Sequence, residues 1–163
     1  MRDIVINTGP LIALVAATDS LEWLPKLYGR IVVPTEVSKE IEAGGSRNPE
    51  YTALQAVSAF FHSIQPERPV PQVLVRELDL GEASVIHSAL QLKIATVAID
   101  EKAGRRVARL HGLKVTGSLG ILIQAKQRGL IDLLAPCLAR MRNRGIWMSS
   151  NLQKKALETV GES

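Results

Sequence analysis

The sequence predicts an α/β fold in which a central, mostly parallel sheet is covered by helices. Strand-like and helix-like patterns alternate along nearly the whole chain, as they do when each strand is followed by a covering helix. Two apolar runs, Ile4-Val5-Ile6 and Ile94-Ala95-Thr96-Val97-Ala98-Ile99, read as buried strands, and each is followed at once by a helix. The first run leads into Asn7-Thr8-Gly9-Pro10 and the second into Asp100-Glu101. Ligands of open α/β sheets bind just beyond the carboxyl ends of such strands, so these two junctions are where a site is expected.

The elements follow in order. Residues 3–7 form the first strand, and Pro10 suits the first turn of a helix over 10–18, where its missing N–H is not needed. Asp19 and Ser20 are placed to cap a second helix over 20–28. Arg30–Val33 is a short strand, and Pro34 or Thr35 opens a helix to Ala43. Gly44-Gly45-Ser46-Arg47-Asn48 is a loop, followed by a helix over 50–60 and an extended piece at 62–65. Pro66, Pro69 and Pro71 make 66–71 an extended connector, with a strand expected over 72–76. Asp79-Leu80-Gly81-Glu82 starts a helix to 91; the strand 94–99, a helix over 101–111 and a strand over Leu113–Thr116 come next. Helices over 118–128, 132–144 and 150–160 finish the chain, with Gly129 and Gly145 as turn residues between them. Both sides of the Pro-rich connector are needed for one sheet, so residues 1–163 are expected to form one domain.

Composition narrows the class. Of 163 residues, 46% are hydrophobic and 22% charged, ordinary values for a globular protein. No window approaches the roughly 18 uninterrupted apolar residues of a membrane span. The chain enters a strand within a few residues, so no secretory signal is expected. Cys137 is the single cysteine, has no partner for an internal disulfide, and reads as a buried structural thiol. Together these features suggest the cytoplasm. The net charge of +4 is unevenly spread. Residues 1–101 carry 8 Lys/Arg against 13 Asp/Glu, while residues 102–163 carry 12 against 3. Such a division suits a protein that holds cations and meets a polyanion, although solvated helix faces produce it too.

Five positions form a candidate acidic constellation: Asn7, Glu40, Glu82, Asp100 and Glu101. Asn7 and Asp100 end parallel strands on the same sheet edge, Glu82 lies in the first turn of the helix leading into the second of these strands, and Glu40 lies in the helix after the Arg30–Val33 strand. Carboxylates, amide oxygens and water are the ligands of hard cations, so Mg²⁺ or Mn²⁺ is the expected metal. One cysteine and the scattered His62, His87 and His111 give no zinc spacing. Each member also has a purely structural reading. Asn7 can cap the helix entered through Pro10. Asp79 and Glu82 have capping-box spacing. Asp100 can cap the helix opening at Glu101, and Glu40 can be a solvated neighbour of Lys39. Lys102, Arg105, Arg106 and Arg109 share a helical face that can meet phosphates near the metal site, or simply pair with acidic neighbours or stay solvated. Trp23, Tyr28 and Trp147 are expected to pack rather than stack on bases. No Walker loop and no Gly-x-Ser-x-Gly elbow is present.

At these residues the chain resembles PIN-domain proteins. The matching segments are IVINTGPLIAL (4–14), IVVPTEVSKEI (31–41), LGEASVIHSAL (80–90) and TVAIDEKAGRRVARLHGLKVTGSLGILIQAKQRGLI (96–131). The tail GIWMSSNLQKKALETVGE (145–162) resembles the end of an uncharacterised prokaryotic subfamily close to the VapC toxins, with asparagine at the first acidic position. The resemblance implies a Rossmann-like three-layer α/β/α fold and a metal-dependent endoribonuclease. It places the family's acidic positions on Asn7, Glu40, Glu82, Asp100 and Glu101, its adjacent hydroxyl on Thr8, and a supporting position near Ser118. Asp100, Glu82 and Asn7 are the implied metal ligands. A small antitoxin and a homodimer are the implied partners.

The departure at Asn7 matters. An amide donates a carbonyl oxygen without charge, whereas a unit charge at 4 Å from another is worth roughly 4 kcal/mol at an effective dielectric of about 20. Two functional classes therefore stay open: a nuclease of weak activity, and a non-catalytic RNA-binding or regulatory module. A phosphohydrolase or receiver-like domain is a third, but the first strand end lacks the nucleophilic Asp that phosphoryl-aspartate chemistry needs.

Overall fold

The computed structural model describes residues 1–45, 47–65 and 67–162. Ser46 of the expected loop and Pro66 of the expected connector lie outside these residues. Five strands form one sheet: β1 (Ile4–Ile6), β2 (Ile31–Pro34), β3 (Phe61–Ile64), β4 (Thr96–Ala98) and β5 (Lys114–Thr116). Their order is β3-β2-β1-β4-β5 and every pairing is parallel. The helices are α1 (Thr8–Thr18), α2 (Thr35–Ala43), α3 (Pro49–Ala56), α4 (Gln72–Glu77), α5 (Leu80–Leu92), α6 (Lys102–Leu110), α7 (Ser118–Gln127), α8 (Leu134–Asn143) and α9 (Ser150–Thr159).

The central strands are continuous β-branched or small apolar runs because both faces are covered. Every residue of β1, β2 and β4 is buried. The chain moves one way across the sheet from β1 to β2 and the other way from β4 to β5. Right-handed crossovers then put α1 and α6 on opposite faces, giving three layers. In keeping with this, α5 packs on β1, β2, β4 and α6, while α1 packs on α3, α7 and α8. Strand order reverses between β1 and β4, so their carboxyl ends flank a topological switch point. The Asn7 N–H donates to the Ala98 carbonyl at 3.1 Å, which seats Asn7 beside the end of β4.

Helices α1 and α8 are tied together by arginines as well as by packing. Arg140 Nε donates to Ala17 O at 2.6 Å, and Arg144 Nη1 donates to Val15 O and Ala16 O at 3.2 and 2.9 Å. These carbonyls lie in the last turn of α1; Val15 O also accepts from Asp19 N at 2.8 Å. Arg144 also pairs with Asp19 at 2.6 Å. Leu133 stands at the N-cap of α8 with no capping side chain, and Glu162 supplies the cap from the end of the chain, accepting from Leu134 N at 2.7 Å and Ala135 N at 3.0 Å. Cys137 is buried, and burial pushes its thiol above the ordinary range despite the nearby Arg140, in line with an inert packing role. No helix among the described residues is long and apolar enough to cross a membrane.

Two expected elements differ. Residues 72–76 are not a strand but the start of helix α4, which buries Leu74 and exposes Val73 and Val75. Residues 20–28 are not a helix; only Leu24–Lys26 form one 3₁₀ turn. Pro25 lacks the N–H that a continuous helix needs at that point.

Candidate active site

Strand ends and helix starts bring the predicted residues to the switch point by separate routes. Asn7 is the N-cap residue of α1, but its side chain makes no capping bond. It is 6% exposed, and its Oδ1 is buried without a hydrogen-bond partner among the described residues. A buried carbonyl oxygen without a partner costs about 1–3 kcal/mol; Glu36 Oε2 and Ser88 Oγ also stand without one among the described residues, and Asn7 is set apart by its place at the strand switch point. Next to it, Thr8 Oγ1 donates to Glu40 Oε2 at 2.6 Å, so α2 is joined to the start of α1 at the site.

Glu40 lies against the backbone of α5. A β-carbon at Gly81 would come within 2.5 Å of Glu40 Oε1. The neighbouring Glu82 is buried near the start of α5, whose N-cap Asp79 accepts from Glu82 N at 2.8 Å. In the other direction the Asp79 backbone N–H faces the Glu82 carboxylate, as in a capping box, so that carboxylate is not free of the helix start. Burial raises the Glu82 pKa, and the Asp79 carboxylate raises it further. The Asp79 backbone N–H opposes the shift, while Glu101 and Glu40 add to it. Glu82 in turn lies against Gly104 of α6, where an added β-carbon would sit 3.4 Å from its carboxylate and 2.8 Å from Ile99 Cγ2.

Asp100 follows β4 and turns away from its own helix. Its Oδ1 accepts from Ser118 N at 2.8 Å, at the start of α7, where the helix dipole favours a carboxylate. The capping of α6 by Asp100 that its position suggested is therefore not made; Glu101 occupies the N-cap of α6, exposed and with no side-chain cap. Ser118 supports Asp100 through its backbone rather than its hydroxyl. A β-carbon at Gly117 would lie 2.7 Å from Asp100 Oδ1 and 2.8 Å from Arg105 Nη1. Gly81, Gly104 and Gly117 thus form the bed on which the acidic side chains rest. The reading of the sequence gave them no such role; an isolated glycine inside the α6 pattern was the one available sign.

The basic helix is divided. Arg105 is half-buried, and its Nη1 donates to Ile99 O at 2.9 Å. Burial and the neighbouring Arg109 lower its pKa, and Asp100 opposes that. Arg106 lies 3.4 Å from Glu77. Lys102, Arg106 and Arg109 line one surface hollow, while Arg105 turns toward Asp100, so the four do not act as one face. Trp23 and Tyr28 are buried as expected, whereas Trp147 is 84% exposed.

The donor set is all oxygen, the chemistry of a hard divalent cation. The orphaned Asn7 oxygen and the mutual repulsion around Glu82 are both what such a cation would relieve. Among the described residues, however, no three His, Cys, Asp or Glu side chains converge closely enough to hold an ion by themselves. The residues fit a site that draws on the Asn7 amide and on water as well as on carboxylates.

No curated protein matches the chain. Residues 3–162 match the model of one family, DUF3368, described as a PIN domain. The match spans almost the whole chain, and its fold is the parallel α/β sheet described above; the protein belongs to the PIN-domain family and so to the PIN nuclease superfamily.

Proposed function

We propose that this protein is a metal-dependent ribonuclease that hydrolyses RNA phosphodiesters. The observation that carries the proposal is the buried, unpartnered Asn7 oxygen at the strand switch point, beside the acidic set of Glu40, Glu82, Asp100 and Glu101. Asp100 and Glu82 are the anionic ligands for Mg²⁺ or Mn²⁺, Asn7 is the neutral ligand, and Glu40 and Glu101 act directly or through water. A bound divalent ion supplies an activated water and neutralises charge on the phosphate. Ser118 N–H and the Gly117 backbone fix the Asp100 carboxylate, so little reorganisation is needed on binding. The Thr8–Glu40 bond holds the second carboxylate in place. Arg105, next to Asp100, and the cations Lys102, Arg106 and Arg109 face the phosphate backbone.

The test is cleavage of mixed single-stranded RNA during titration with Mn²⁺. Cleavage that requires both the ion and Asp100, and is lost in Asp100→Asn, supports the proposal; RNA left intact at every Mn²⁺ concentration refutes it. A second reading, a non-catalytic RNA-binding module, is favoured by the neutral Asn7 and by the lack of a three-group metal cluster among the described residues. It expects salt-sensitive RNA binding without turnover, and activity that appears only in Asn7→Asp. The toxin role adds a small antitoxin and a homodimer. Co-purification with the product of an adjoining short reading frame, with loss of cleavage, tests the former; sedimentation tests the latter.

A further inference from the structure

We propose that Trp147 is a stacking platform for an unpaired nucleobase of the RNA strand whose phosphates reach Asp100, an inference that rests on the ribonuclease reading. One groove of about 1020 Å³ carries both features. Asp100 and Arg105 line its polar part; Ile12, Ile123, Leu152 and Trp147 line its apolar part. An indole that is 84% exposed gives up the burial that normally stabilises tryptophan, whereas Trp23 is 8% exposed with its indole N–H bonded to Thr18 Oγ1 at 3.0 Å.

The exposed ring sits on an anchored loop. Ile146 N donates to Met141 O at 3.0 Å on one side of it. On the other side, Gln153 Nε2 donates to Met148 O at 3.0 Å, and Ser149 caps α9 through Leu152 N at 3.2 Å. The neighbours Ile146 and Met148 are packed against the core, so the backbone is held while the ring faces outward. A base fits this arrangement better than an aliphatic protein segment does. It offers a flat π face to the indole, and the phosphate attached to it meets the cationic Arg105 at the polar end of the same groove. Among the described residues Arg105 is the one cation lining the groove, beside Asp100 and Glu101, so the phosphate is placed at the Arg105 side of the polar end.

The probe is a short oligoadenylate in metal-free buffer, followed by tryptophan fluorescence, with an abasic oligomer of equal length as control. The expected result is quenching of the exposed indole by oligoadenylate and not by the abasic strand. Trp147→Ala should weaken oligoadenylate binding about 5- to 150-fold, equivalent to stacking of ~1–3 kcal/mol at about 1.4 kcal/mol per decade, while Trp147→Phe retains most of it. In cleavage assays with Mn²⁺, Trp147→Ala should raise KM by a similar factor with little change in kcat. Equal affinity of wild type and Trp147→Ala, with cleavage intact, overturns the stacking platform alone. Wild-type protein that cleaves mixed single-stranded RNA but does not bind oligoadenylate overturns the platform alone; protein that neither binds oligoadenylate nor cleaves mixed RNA overturns the platform and the ribonuclease reading together. Dissociation of a dimer in Trp147→Ala at unchanged RNA affinity assigns the groove to a second copy of the chain and likewise overturns the platform.

Discussion

Replacing Asn7 with aspartate separates a metal site from a decorative one. The residue is 6% exposed and its Oδ1 has no partner among the described residues. A charge placed there without a cation is buried beside an acidic set whose members already raise the Glu82 pKa. At pH 7 the penalty has a ceiling: protonating a carboxyl of ordinary pKa about 3.9 costs ~4 kcal/mol, so a larger electrostatic cost is avoided by neutralisation. In EDTA, Asn7→Asp should therefore lose about 3–4 kcal/mol. For a chain of this size each kcal/mol moves Tm by roughly 2–4 °C, so the expected fall is about 6–16 °C. Mn²⁺ reverses this, because the new carboxylate is then paired, and occupancy at about 100 times Kd adds ~2.7 kcal/mol by mass action. The assay is thermal unfolding followed by circular dichroism, for parent and variant, across a Mn²⁺ titration. A variant that melts like its parent in EDTA and ignores Mn²⁺ refutes the placement of Asn7 at an ion site.

Other perturbations test separate parts of the structure. The raised pKa of Glu82 means that the folded state holds its proton more tightly than the unfolded chain, so its stabilising contribution is complete in acid and lost as pH rises through the folded pKa. Glu82→Gln should thus unfold at higher denaturant than the parent in metal-free neutral buffer and equally in acid; no difference at neutral pH contradicts the burial argument. Gly104→Ala gains about 1 kcal/mol of helix propensity but sets a β-carbon 2.8 Å from the fully buried Ile99, and overpacking of ~1–3 kcal/mol should win. Combining it with Ile99→Ala should cost less than the sum of the two changes, and strict additivity in urea titrations would show that they do not touch. Burial pushes the Tyr28 hydroxyl up to about 12, against the opposing charge of Arg2, so stability should fall between about pH 10 and 12. Tyr28→Phe should flatten that alkaline loss, read as the denaturation midpoint against pH. Glu162→Ala removes the side-chain cap on the start of α8 and should cost ~1 kcal/mol in thermal unfolding, with faster amide exchange at Leu134 and Ala135.

The parallel sheet was legible because its central strands are buried on both faces and their β-branched runs leave little ambiguity. The switch point followed from two such runs ending in polar residues. Val73 and Val75 have the β-branched alternation of a strand, yet the structure exposes both and buries Leu74 in a short helix packed against α5. The helix expected over 20–28 rested on Asp19 and Ser20 as caps, and Pro25 interrupts it. Leu21, Trp23, Leu24 and Leu27 are buried, but on an irregular path with one 3₁₀ turn. At the site, the residue types could be named from the sequence but their partners could not. Asp100 bonds to a backbone N–H 18 positions away, and Glu40 to a hydroxyl 32 positions away, contacts that only the packed helices create. The exposure of Trp147 was equally hidden, since an apolar ring in a mixed segment reads as core until the loop around it is placed.

The arginines that fasten α8 to the end of α1 also change what the charge count means. Of the 12 cations after residue 101, Arg105, Arg140, Arg144 and Lys126 donate to main-chain carbonyls and Arg106 pairs with Glu77. Seven remain without a hydrogen-bond or ion-pair partner among the described residues. With Arg105 and Arg106, the two partnered cations placed against the phosphate backbone, nine of the 12 are counted; at about 0.7 of a counterion released per phosphate on a single strand they account for a log–log salt slope of roughly −6, against the roughly −8 that all 12 would allow. Much of the positive charge in the second half of the chain is thus mortar between helices, and the surface left for a nucleic acid is smaller and more local than the composition suggests.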